Sequence, residues 1–337
     1  MRIGILSAGG DCPGINATIR GIGKTAIVKY GMEVIGFTEG FRGILYKDYI
    51  SMDEKMLSGL LTEGGTVLGT SREKPYKKKD SDPFENKPEE IKKNYRELGL
   101  DALVCIGGNG TQRTANLLAK EGLNIIGIPK TIDNDVYGTD QTFGFDSALA
   151  IATDAIDRLH TTANSHRRVM VIEIMGHHAG WLALYAGMAG GGDVILVPEI
   201  DYDIHKVTDY LQKRSKQGKS FSIVVVAEGI KKEGNKPAAR YIAKKIQEIT
   251  GMETRETILG YIQRGGSPTA SDRIFSTQMG GYAADLIHKQ IFGQMVAKRD
   301  GKITHVSLDE VGGKLRLLTP DNPIIERGRS LGVCFGN

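Results

Sequence analysis

The chain has 337 residues, 40% of them hydrophobic and 25% charged, the profile of an ordinary globular protein with one large domain or two lobes. A net charge of +4 is too small to argue for nucleic acid. Cys12, Cys105 and Cys334 form neither an even disulfide framework nor a paired metal-ligand spacing, which points to a reducing compartment. The opening MRIGILSAGG reads as a buried strand whose apolar core is too short for export, and no run has the length needed to cross a bilayer. A cytoplasmic protein is expected, with neither nucleic acid nor membrane as partner.

Short apolar runs alternate with amphipathic helices along the chain. RIGILS leads to a helix from about Ile15, then MEVIGF, then a helix near Glu54 to Leu61. Residues 72–96 are charged and poor in apolar residues at first. They read as a solvated excursion and then a surface helix, because acids interleave with the lysines and aromatics are few. DALVCIGG leads to the helix QRTANLLAKEG, then NIIGIP, then a long helix from about Gln141 to Thr161. RVMVIEIM, DVILVPE, FSIVVVAEG and ETRETILGYIQ continue the pattern. Strands apolar throughout and separated by helices indicate parallel sheet covered on both faces. The expected fold is α/β, with two lobes, each a mostly parallel sheet flanked by helices. One lobe is expected at 1–140 plus about 257–305, the other at 141–256 plus the tail 306–337.

Ligands of such sheets bind at the carboxyl ends of the strands, where the unusual residues gather. AGGDCPGIN, between a strand and a helix, brings glycine backbone and a helix N-terminus to one place. Alone it fits an anion site and an empty βα turn equally, and it lacks the G-K-[ST] ending of a Walker loop. IGGNGTQ repeats the design and adds the hydroxyl of Thr111. Two such loops at neighbouring strand ends favour a phosphate-rich ligand, and Arg72 of GGTVLGTSRE can serve a phosphoryl oxygen. GIPKTIDNDVYGTDQTFGFDSA crowds Asp133, Asp135, Asp140 and Asp146 next to Lys130. Such carboxylates repel unless a cation, a base or hydrogen bonds accept the charge. An Asp there can take the proton of an alcohol as phosphoryl transfer begins; the alternative is a solvated Asp-rich turn. His177 and His178 are adjacent and do not share a face, which makes them poor joint zinc ligands. Arg255, Tyr261 and Arg264 surround a strand and a glycine turn, a pattern suited to clamping a sugar phosphate. Trp181 reads as packing.

GGDCPGIN, GGNGT, PKTIDND, SHRRVMVIEIMG and ETRETILGYIQRGGSP, in this order over about residues 1–300, resemble the 6-phosphofructokinase family. The resemblance implies phosphoryl transfer from Mg-ATP to the 1-hydroxyl of fructose 6-phosphate, with Mg²⁺ as cofactor and a homotetramer in which Arg168 and Arg255 reach a neighbouring subunit. Carried over by motif, Asp133 resembles the general base, aided by Thr131, Arg72 and Arg168. Gly10, Arg72, Glu73, Gly108, Asn109, Gly110 and Thr111 resemble the donor site. Thr131, Ile132, Asp133, Arg168, Met175, Gly176, His177, Glu228, Arg255, Tyr261 and Arg264 resemble the acceptor site. Asp135 falls near the metal–phosphate end.

Several positions depart from the best-known bacterial pattern. Asn109 replaces a Mg²⁺-binding Asp; an amide oxygen can still coordinate magnesium but adds no charge. His177 replaces an Arg and Tyr261 a His, as in the branch that includes pyrophosphate-using members. Those members usually carry an Asp after the glycine pair and a Lys in the following loop. Here Gly110 fills the first place, leaving room for a nucleotide, and Lys130 fills the second, so ATP is expected and pyrophosphate is the alternative donor. An NAD or lipid kinase shares the glycine loop but not SHRR or ETRETILGYIQRGGSP. A catalytically silent nucleotide-binding subunit is the alternative from another class. Arg20 and Lys219 match basic positions of a regulatory anion site, whereas Lys24, Glu54, His160, Gln217 and Phe221 do not, and weak or absent control by ADP and phosphoenolpyruvate is expected.

Overall fold

The computed structural model describes residues 1–77 and 83–337, so 78–82 of the charged 72–96 stretch lie outside the described residues. The chain divides into two compact units, the first comprising 1–132, 136–146 and 264–315, the second 133–135, 147–263 and 316–337.

The first unit holds β1 (Arg2–Ala8), α1 (Ile15–Lys24), β2 (Glu33–Phe37), α2 (Phe41–Tyr46), β3 (Tyr49–Ser51), α3 (Lys87–Glu97), β4 (Ala102–Gly107), α4 (Asn109–Lys120) and β5 (Ile125–Pro129). Its sheet has seven strands in the order β11-β10-β5-β4-β1-β2-β3, where β10 is Gln294–Arg299 and β11 is Lys302–Ser307. The five central strands are parallel and the outer pairs β2/β3 and β10/β11 antiparallel. Every residue of β4 is buried, as an apolar run with no polar alternation requires when both faces are covered. Burying Leu103, Val104 and Ile106 in this way stabilises the unit by about 1.5–3 kcal/mol each. Turns replace the helix expected near Glu54 to Leu61, with only a 3₁₀ turn at Leu60–Thr62. Gly59 at φ 89° interrupts the helical path, and Asp53 Oδ1 accepts from the Met56 amide at 2.7 Å.

The second unit has a four-stranded, fully parallel sheet in the order β7-β8-β6-β9. Its strands are β6 (Val169–Ile174), β7 (Val194–Leu196), β8 (Ser222–Ala227) and β9 (Thr254–Ile258). The helices between them are α5 (Phe145–His166, whose first turn falls in the first unit), α6 (Trp181–Ala189), α7 (Ile204–Lys216) and α8 (Ala238–Thr250). Helix α9 (Ala270–His288) and the short α10 (Leu308–Val311) belong to the first unit, α11 (Pro323–Ser330) to the second. Relative to the expected lobes, 133–135 and 257–263 lie in the second unit and 141–146 and 306–315 in the first. Residues 257–263 stay with the second unit, where β9 pairs β6, and 306–315 stay with the first, where β11 pairs β10. Among the described residues no helix is long and apolar enough to cross a membrane.

Candidate active site

In the first sheet β1 lies between β2 and β4, so the chain winds outward in both directions from this point. Ligand loops of open α/β sheets collect at the carboxyl ends of strands at such a switch. Ala8 stands opposite Gly107 at those ends, which sets the two glycine loops side by side. The loop after β1 is stitched to the segment carrying Arg72. The Gly9 amide donates to Ser71 O at 3.0 Å, and Thr70 Oγ1 donates to Gly9 O at 2.7 Å. Arg72 is exposed. Its neighbour Glu73, 19% exposed, accepts from Lys87 Nζ at 2.6 Å, and Lys87 is only 4% exposed, so a partly buried ion pair anchors the residue next to Arg72. Lys130 Nζ donates to Gly10 O, and Arg264 Nη1 donates to Asp11 O at 3.1 Å. A Cβ at residue 10 would stand 2.7 Å from Arg264 Nη1. Gly10, grouped with the donor, and Arg264, grouped with the acceptor, are therefore in contact.

The glycines after β4 differ in what holds them. A Cβ at Gly107 would stand 2.2 Å from Thr111 Oγ1, so packing alone demands that glycine. Thr111 is buried with its hydroxyl turned toward Ala8 O at 3.5 Å. Gly108 would meet only ordinary contacts. Among the described residues nothing lies within 4 Å of a Cβ at Gly110, the second residue of α4, which has no positive φ; within a helix glycine costs up to about 1 kcal/mol against alanine. The described residues around Gly110 do not themselves demand a glycine.

The aspartate-rich stretch sorts into separate roles. Asp140 Oδ2 accepts from the Asp300 amide at 2.8 Å and Asp146 Oδ2 accepts from Thr269 Oγ1, so both serve structure in the first unit. Thr131 O accepts from Thr142 Oγ1 at 2.7 Å. The Ile132 side chain is 0% exposed; it is core, and only its backbone is left for a substrate, which narrows the contact expected there. In the second unit Asp133 is partly exposed. Arg316 braces the residues after it, its amide donating to Asp135 O at 2.8 Å and its Nη1 to Asn134 O at 3.1 Å. Arg316 in turn lies 3.9 Å over the Trp181 ring and accepts from Trp181 Nε1 at 2.9 Å.

Elsewhere in the second unit, the turn after β6 is held by two side chains. Glu228 Oε1 accepts from the amides of Gly176 at 3.1 Å and His177 at 2.8 Å, and Gln263 Oε1 accepts from the Met175 amide at 3.2 Å. His177 sits at φ 51° with its ring exposed. His178 lies in the turn before α6. Arg168 and Arg255 both pair with Glu253. That carboxyl is held below its usual range, chiefly by the hydrogen bond from Arg168. Tyr261 is 75% exposed.

Residues 2–287 match the family model described as phosphofructokinase. The chain belongs to the phosphofructokinase family. The ATP-dependent 6-phosphofructokinase 3 of Bacteroides thetaiotaomicron is 62% identical over 336 residues, covering 100% of each chain. The ATP-dependent 6-phosphofructokinase of Spirochaeta thermophila is 54% identical, over 99% of this chain and 97% of that relative. The phosphofructokinase structure from Saccharomyces cerevisiae superimposes with a TM-score of 0.82 at 33% identity, covering 92% of this chain and 45% of that one. The α/β fold expected from the sequence is the fold of this phosphofructokinase-family chain. Sequence reasoning missed Lys87, Gln263, Glu253 and Arg316. Gln263 and Glu253 sit inside the quoted motif and could have been asked about, whereas nothing local marks Lys87 or Arg316.

Proposed function

We propose that this phosphofructokinase-family enzyme is an ATP-dependent 6-phosphofructokinase acting in glycolysis. It moves the γ-phosphoryl of ATP to the 1-hydroxyl of fructose 6-phosphate and gives fructose 1,6-bisphosphate. The observation that carries the choice of donor is Gly110, whose missing side chain leaves room that the fold does not use. Lys130, the feature that speaks for pyrophosphate, has its ammonium on the Gly10 carbonyl.

In this reading Asp133 takes the proton of the 1-hydroxyl as the bond to phosphorus forms. Thr131 and the Ile132 backbone position the acceptor, Met175, Gly176, His177 and Glu228 hold the sugar, and Tyr261 and Arg264 take its phosphate together with Arg168 and Arg255, which stand at the amino end of the second sheet and serve the site of a neighbouring copy. Gly10, Arg72, Glu73, Gly108, Asn109, Gly110 and Thr111 form the donor side, with Arg72 directed at charge on the phosphoryl oxygens. Among the described residues no group of three or more His, Cys, Asp or Glu forms a metal cage. Mg²⁺ is commonly held by one or two protein oxygens together with substrate phosphates and water. Asn109 and Asp135 are the oxygen donors that would hold it, and when bound it neutralises phosphate charge. We place the enzyme in the cytoplasm as a homotetramer. The edge strand β9 and the turn after it leave Ile258, Tyr261 and Ile262 exposed, a surface suited to another copy.

The test is phosphorylation of fructose 6-phosphate with Mg²⁺, run in parallel with ATP and with pyrophosphate. ATP turnover that falls about 10²–10⁴-fold in Asp133→Asn supports the kinase and its base. Turnover with pyrophosphate alone overturns the donor, and no turnover with either favours a silent subunit.

A further inference from the structure

Arg168 and Arg255 share a single acceptor atom. Glu253 Oε1 lies 2.8 Å from Arg168 Nη2 and 2.7 Å from Arg255 Nη2. The sheet register creates the meeting. Val169 stands opposite Thr254 and Met170 opposite Arg255, so Arg168 and Glu253, each one residue before its strand, arrive at the same sheet end. The Val169 amide donates to Glu253 O at 3.0 Å and fixes that register. Two guanidinium groups this close repel, and an anion between them is what makes the arrangement favourable. The Arg255 fork is held back on its own strand, with Nη1 donating to Thr254 O at 3.0 Å. Arg168 Nε is buried with no hydrogen-bond acceptor among the described residues. Glu253 itself is 45% exposed, open to solvent and to an incoming ligand.

We propose that Glu253 is a resident counter-anion for the acceptor-phosphate arginines, occupying the place between Arg168 and Arg255 that the 6-phosphate of the substrate takes over. The inference rests on reading those two arginines as the phosphate contacts. A phosphate monoester carries close to two negative charges at neutral pH and three strong acceptor oxygens. The carboxylate carries one charge but is tethered, so it competes at a high local concentration. Substrate affinity is then a difference between two anions for the same donors, and Glu253 tunes it without touching the reacting atoms. It is a positioning residue, set against the acceptor and indifferent to the donor.

Glu253→Gln keeps an acceptor oxygen and removes the charge. With the full-length enzyme at saturating Mg-ATP, the KM for fructose 6-phosphate falls about three- to fivefold, the scale of one half-exposed ion pair. The inhibition constant of inorganic phosphate against fructose 6-phosphate falls in parallel, and the KM for ATP stays where it was. Glu253→Asp, which restores the charge, returns both constants toward wild type. A KM that rises or stays unchanged in Glu253→Gln overturns the proposal. Arg255→Ala separates the two layers. If it leaves the KM for fructose 6-phosphate unaltered, the assignment of the arginines is wrong. If it raises that KM while Glu253→Gln fails to lower it, only the counter-anion is wrong. Binding of inorganic phosphate, followed by the shift it produces in the melting midpoint, reads the same competition without turnover and must rank the variants in the same order.

Discussion

Gly110 offers the sharpest separation between a glycine kept for the fold and one kept for a ligand. Alanine at 110 would meet no atom of the described residues within 4 Å and would sit at an ordinary helical backbone position. The free protein should therefore gain up to about 1 kcal/mol from helix propensity, seen as a rise of about 1–3 °C in the melting midpoint. If the nucleotide lies along this face of α4, the added methyl must push into it. Overpacking of this kind costs about 1–2 kcal/mol, a drop of roughly tenfold in kcat/KM for ATP. Aspartate adds charge to bulk. One phosphoryl charge at about 6 Å in an effective dielectric near 20 repels it by about 3 kcal/mol, or roughly a hundredfold. Steady-state kinetics with ATP varied and fructose 6-phosphate saturating, alongside thermal melts of the same samples, makes the measurement. The contrasting variant is Gly107→Ala, whose Cβ collides with Thr111 and which should lose stability first. Gly110→Ala and Gly110→Asp that melt like wild type or better, yet keep the wild-type kcat/KM for ATP, would refute the donor reading.

The other expectations concern support and regulation. Lys87→Met leaves Glu73 without its buried cation; the expected loss is about 3 kcal/mol, read as a lower urea midpoint, with Lys87→Met/Glu73→Gln recovering most of it. Because Glu73 adjoins Arg72, the single variant should also lose ATP kcat/KM. Burial raises the Cys12 thiol from its ordinary 9.0 to about 12. The protonated thiol thus contributes stability that is full below about pH 9 and lost as pH rises toward 12. Denaturant midpoints between pH 8 and 10.5 should fall more steeply in wild type than in Cys12→Ala. At the regulatory positions, Lys24 Nζ pairs with Glu54 at 3.2 Å and His160 Nε2 lies 2.6 Å from Gly190 O. Fructose 6-phosphate saturation should stay hyperbolic when ADP or phosphoenolpyruvate is titrated, and strong sigmoidal control lost in Arg20→Ala would contradict this.

The strands were legible because burial on both faces leaves an unbroken apolar run, and DALVCIG and FSIVVVA carry that signature without ambiguity. The glycine loops were legible as loops, but the reason for each glycine was not. Gly107 answers to Thr111 four residues later, Gly10 to Arg264 more than 250 residues away, and only the second depends on tertiary structure. The same distinction governs the acids. Asp140 and Asp146 stand in the same crowded stretch as Asp133, yet their partners, Asp300 and Thr269, lie far along the chain. Composition and crowding alone could not separate them from Asp133; only the motif did. The motifs end near residue 300, yet Arg316 in the tail beyond them braces the backbone at Asn134 and Asp135.

Lys130 shows how a long-range partner changes the weight of a motif. In sequence its ammonium is a feature of a pyrophosphate site, a cation next to where a small anionic donor would lie. In the structure Lys130 is buried and donates to the Gly10 carbonyl, while Arg264 donates to the next carbonyl, that of Asp11. Two cations on adjacent carbonyls hold the β1 loop in place, and a charge engaged in that way attracts a donor anion less than a solvated one would. Gly110 has no such competing explanation. The residue whose identity the fold explains loses force as evidence for a ligand, and the residue that the fold leaves unexplained gains it.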